Sequence, residues 1–137
     1  MRLQLKYPPT AENAPKFAAD MVSPAAEMSG ANLDYSVASL QAVDDIIECM
    51  RQDGCTPDQV AETLFGFGCY VGEVFVQRAG GRWRNAAETS MAKLADFPMV
   101  IELGKESFCS PIDKVFKRME SGEDNLPYFY QVFTARG

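Results

Sequence analysis

The chain has 137 residues, 47% of them hydrophobic and 23% charged, with a net charge of −6 and no histidine. That length supports one domain over residues 1–137 with a core of its own and is too short for two. Without histidine there is no Ser-His-Asp or Cys-His nucleophilic machinery and no His-ligated zinc or iron.

The charge is unevenly spread. Residues 1–73 carry 4 Lys/Arg against 11 Asp/Glu, a balance of −7, and residues 74–137 carry 9 against 8, a balance of +1. An acidic chain without a basic stripe is poorly suited to phosphate backbones, so no nucleic-acid partner is expected. No apolar stretch approaches the ~18 residues of a membrane span, and "MRLQLKYPPT" holds no apolar signal-peptide segment. Both point to a cytoplasmic protein away from the membrane. In a reducing compartment Cys49, Cys55, Cys69 and Cys109 are expected as free thiols, and with no CxxC they suggest neither zinc nor redox chemistry.

From the N-terminus, Arg2 to Tyr7 alternate polar and apolar, which predicts a strand or an extended arm ended by Pro8–Pro9. Thr10 to Met28 favours helix, with Pro15 in the first turn and Pro24 placed to kink or restart it. In "DYSVASLQAVDDIIECMRQDG", Ser36 is the expected N-cap, and Val37, Leu40, Val43, Ile46, Ile47 and Met50 form an apolar stripe at helical spacing. Gly54 suits the left-handed position beyond it. "TPDQ" then gives a capping box, Thr56 with Gln59, and Pro57 at the first helical position; a long helix runs on to Ala79 and stops at Gly80–Gly81.

Beyond Gly81, "RWRNA" and "PMVIEL" read as strands, with Gly104-Lys105 as a two-residue turn into "ESF". Ser110-Pro111 repeats the cap-plus-proline signal and starts a helix through about Met119, stopped near Gly122. "NLPYFYQVF" is a short helix covering the core, its Tyr128, Phe129, Tyr130 and Phe133 core and rim residues.

The long helix holds the residues of greatest chemical interest. Gly66, Gly68 and Gly72 imitate a dinucleotide-binding fingerprint, but they follow two turns of capped helix, where no free N–H groups face a phosphate. Gly68 and Gly72, four residues apart, are read as sites of close approach by another helix or the sheet. Glu73 follows Gly72 in an apolar helix, where a carboxylate must be paired, hydrogen-bonded or protonated. Arg82 and Arg84 share one face of the next strand, with Trp83 on the other, so a structural ion pair from Glu73 to either arginine is expected. The functional alternative makes Glu73, with Glu62 or Asp34, an acid/base or cation site.

Asp44, Asp45 and Glu48 read as a solvated acidic helix face open to a partner; Asp44 and Glu48, one turn apart, could also contribute to a cation site. Lys114, Lys117 and Arg118 read as a solvated basic patch near a helix C-terminus. No cofactor and no metal are expected.

The segments "LDYSVASL" (33–40), "GCYVGEVFVQRAGGRW" (68–83) and "PIDKVFKRMESG" (111–122) resemble a family of small bacterial cytoplasmic proteins of no established activity. The resemblance implies no catalytic residue and suggests an accessory or immunity-type role. The fold expected is α+β: N-terminal helices and a long central helix packed on a small antiparallel sheet, closed by C-terminal helices. The function expected is a non-enzymatic protein-binding module that presents its acidic surface to a basic partner.

Overall fold

A computed structural model describes residues 3–104 and 107–135. The helices are α1 (Ala14–Ser29), α2 (Ser39–Gln52), α3 (Ala61–Ala79), α4 (Pro111–Ser121) and α5 (Leu126–Thr134); the strands are β1 (Arg82–Asn85), β2 (Met99–Glu102) and β3 (Phe108–Cys109). The strands form one antiparallel sheet in the order β1-β2-β3. The fold is α+β, as the sequence pattern implies.

The start and stop signals act as their chemistry dictates. The Thr56 hydroxyl accepts the Gln59 N–H and the Gln59 side chain accepts the Thr56 N–H, closing the capping box over a single 3₁₀ turn that leads into α3. Gly30, Gly80 and Gly122 end α1, α3 and α4 with φ of 71°, 71° and 74°. Ser36 accepts the Ser39 N–H through its hydroxyl, though the regular helix begins only at Ser39.

Three expectations need correction, and one pair of alternatives resolves. Pro24 does not break α1, which runs unbroken from Ala14 to Ser29. Pro24 is exposed, so water can take the carbonyl that its missing N–H leaves free. The 3–7 segment is the extended arm and not a strand: Leu3, Leu5 and Tyr7 pack on the core outside the sheet, while Arg2 lies outside the described residues. The turn after β2 is longer than two residues, because the Leu103 N–H bonds the Ser107 carbonyl; Lys105 and Glu106 lie outside the described residues. Ser110 precedes α4 as expected, yet its hydroxyl donates to Asp113 instead of capping a backbone N–H.

Helix α3 is the axis of the molecule. Every residue from Leu64 to Phe75 is buried, and each glycine of the opening turns admits a different neighbour. A Cβ on Gly66 would strike the Met21 side chain of α1; on Gly68 it would lie 2.6 Å from the Ile112 Cα of α4; on Gly72 it would enter the Trp83 ring of β1. Edge-to-face aromatic contacts, Phe17 on Phe65 and Phe75 on Phe129, extend the same core towards α1 and α5.

The three glycines therefore differ in what a methyl group would cost. Gly66→Ala meets a flexible thioether and gains about 1 kcal/mol of helix propensity, so it should be near neutral. Gly68→Ala meets backbone and should destabilise by roughly 1–3 kcal/mol, with Gly72→Ala between them. Urea denaturation checks the order; Gly68→Ala as stable as Gly66→Ala would refute the close approach of α3 and α4.

Candidate functional site

The C-terminal half of α3 brings Glu73 against β1. Its carboxylate accepts the Trp83 indole N–H at 2.9 Å, and the residue is 8% exposed. Arg82 and Arg84 both bond Glu102 instead, Arg84 at 3.2 Å. The expected pairing of Glu73 with Arg82 or Arg84 is thus overturned, and period-two geometry supplies the reason. Trp83 packs on Gly72, so the Trp83 face of β1 turns toward α3. The arginines on the other face then meet Glu102, which is paired across the ladder with Arg82. The two guanidiniums hold the Glu102 carboxyl below its ordinary value.

Around Glu73 lies a hydrogen-bonded cluster. The Tyr70 hydroxyl accepts the Tyr35 N–H at 2.8 Å and lies 2.6 Å from the Ser39 hydroxyl, while Arg78 Nε donates to the Tyr35 carbonyl at 3.0 Å. Tyr35 is left-handed, with φ of 64°, and these bonds on both sides of it hold that conformation. Burial, and next the Glu73 charge, raise the Tyr35 phenol pKa. Cys69 is pushed up by burial and then by Glu73, and Cys109 by burial to about 12, so neither thiol is available as a nucleophile.

The carboxylates that could assist Glu73 stand apart from it. Glu62 is on the same helix eleven residues earlier, about 16 Å away along the axis, and accepts the Gln4 N–H. Asp34 is exposed and turned onto the N–H and hydroxyl of Ser36. None of five surface grooves is lined by Glu73. Among the described residues no three Cys, Asp or Glu side chains gather as a metal site.

The acidic face of α2 also differs from expectation. Asp44 is 4% exposed and receives Arg118 in two bonds, Nε to Oδ1 at 3.0 Å and Nη2 to Oδ2 at 3.1 Å. It also accepts the Leu126 N–H at 3.0 Å, the first of α5. Glu48 receives Arg118 and Arg51, each at 3.0 Å. Asp44 and Glu48 therefore hold the α2–α4–α5 seam together, Asp44 buried and Glu48 partly exposed, and Arg118 is no member of a solvated patch. The physical reason is position: Asp44 lies on the helix face of Leu40 and Ile47, and Arg118 on that of Val115. Asp45 alone of the three acidic residues is exposed, held by Gln41.

Beside Asp45 runs the most apolar of the grooves. It lies between the C-terminal end of α1 and the outer side of α2, holds about 410 Å³, and is walled by Met28, Ala42, Ile46, Cys49 and Met50, with Asp45 and Asp53 at its border. Among the described residues no lysine or arginine lines it. Sequence reading missed it because its walls come from two helices whose relative placement no local pattern gives.

No protein-family model, no curated protein and no solved structure matches the chain. No helix of the described residues is long and apolar enough to cross a membrane.

Two outcomes follow from these contacts. Glu73→Gln keeps an acceptor for the Trp83 indole and strands no arginine, so it should cost less than about 1 kcal/mol, whereas Glu73→Ala should cost about 1–3 kcal/mol and shift the emission of Trp83, the one tryptophan. A Glu73→Gln loss as large as that of Glu73→Ala would show that the charge itself matters. For the seam, Asp44→Asn should cost roughly 3 kcal/mol at neutral pH, because it leaves Arg118 buried and half-paired. The Glu48 carboxyl, held chiefly by Arg118, titrates below its ordinary 4.5. Its contribution is complete above that pH and is lost as pH falls through the lower, folded value. Stability followed by urea midpoint should decline below pH ~4.5, less steeply in Glu48→Gln.

Proposed function

We propose that the chain is a non-enzymatic protein-binding module that presents the acidic outer side of α2 to a basic partner. The observation that carries this reading is the apolar groove whose lining includes Asp45 and Asp53 and, among the described residues, no cation. Exposed carboxylates beside a dry surface steer a basic protein to it, and the apolar walls then provide the short-range contact. An accessory or immunity-type role, in which an acidic surface covers a basic one, has this form.

Catalysis through Glu73 is less well supported. One of its oxygens is engaged by an indole, Glu62 is remote, and Asp34 is turned onto its own loop.

The double substitution Asp45→Lys, Asp53→Lys should leave the urea midpoint nearly unchanged, since both residues are exposed and neither is ion-paired among the described residues. It should weaken a basic partner, isolated from lysate and purified, by about tenfold or more at physiological salt. A partner whose affinity ignores both salt and this substitution would remove the acidic surface from the mechanism.

A further inference from the structure

We infer that the α1–α2 groove receives an amphipathic helix with basic flanks, an inference that rests on the protein-binding reading and names the shape of the partner. One wall is α2, with Ala42, Ile46 and Met50, and the other is the end of α1, with Met28 and Ser29, continued by Ala31. No sheet edge borders the groove, so an extended segment would find no ladder for its own N–H and C=O groups. A helix arrives with those groups already bonded.

The dimensions agree. From Ala42 to Gln52, α2 rises about 15 Å, which is about three helical turns of a partner laid alongside. A stripe at i, i+3 or i+4 and i+7 presents three or four apolar side chains over that distance. Met28, 61% exposed, and Met50 are unbranched and adapt to the side chains they meet.

Charge selects among occupants. Asp45 and Asp53 line the groove and among the described residues no cation does, so Lys or Arg flanking the partner's stripe would find a carboxylate on arrival. A second copy of this chain is disfavoured: two such faces related by a twofold axis would set acidic borders against one another, on chains that each carry −6. An anionic lipid surface meets the same repulsion.

The test uses three fluorescein-labelled synthetic peptides of about 15 residues, read by anisotropy against the full chain. One is an amphipathic helix with a leucine stripe flanked by lysines. The second has the same composition in an order without the stripe, and the third replaces the lysines by glutamates. The first should bind about tenfold tighter than the second, and the third should not bind. Ala42→Trp, which fills the groove from a half-buried position, should weaken the first peptide about tenfold with the circular dichroism unchanged. Should that variant fail to fold, a bulky maleimide on Cys49 in a Cys55→Ser background blocks the same groove, since Cys69 and Cys109 are buried. Equal binding of the first two peptides, or indifference to the blocked groove, overturns the inference, as does failure of every peptide to bind at millimolar concentration. The reading beneath it fails separately: it is lost when Asp45→Lys, Asp53→Lys leaves the lysine peptide's affinity and salt dependence unchanged.

Discussion

Three missing side chains on one helix decide how closely everything else can approach. Gly66, Gly68 and Gly72 open α3 toward α1, α4 and β1 in turn, and the contact at Gly68 is with the backbone of Ile112. Each glycine costs a helix interior about 1 kcal/mol relative to alanine. The return is a helix surrounded on every side, with Leu64 to Phe75 out of water. The apolar side chains between the glycines then meet several elements at once, which is why so short a chain builds one continuous core.

Electrostatics complete what packing begins. Arg118 gives three donors to two carboxylates of α2, and Asp44 returns one oxygen to the first N–H of α5. One guanidinium so fixes the relative position of three helices, in a geometry that a lysine could not reproduce. The pairing also changes the meaning of the charge asymmetry. Part of the acidity of the first half is internal, spent against a cation of the second half, and only the remainder reaches solvent.

Much of this was legible in the chain itself. The capping box at Thr56, the stops at Gly80 and Gly122 and the reading of the glycines as close approaches are local chemistry, in which a residue and its neighbours hold the whole answer. The errors concern which face of an element meets which partner. The alternation of β1 places Trp83 and its flanking arginines on opposite faces, but it is the apolar face that meets the helix, and the arginines turn away from it. Asp44 belongs to a charged run in the sequence, yet it lies at i+4 from Leu40 and i−3 from Ile47. An acid on one apolar stripe and a base, Arg118, on another were together a signal of a buried pair. The α1–α2 groove left no such trace, because helix placement arises from contacts far apart in sequence.

The distance spanned by the Asp44 contacts bears on how the chain acquires its structure during synthesis. Asp44 is separated by 74 residues from Arg118 and by 82 from Leu126. Until those residues emerge, seating the apolar stripe of α2 would bury a carboxylate without its counter-ion, at a cost of about 3–5 kcal/mol that offsets part of the gain from its aliphatic side chains. The buried carboxylate of α3, Glu73, finds its donor Trp83 only ten residues on, so α1 and α3 can associate earlier through Gly66. The seat of α2 is completed only with the last fifth of the chain.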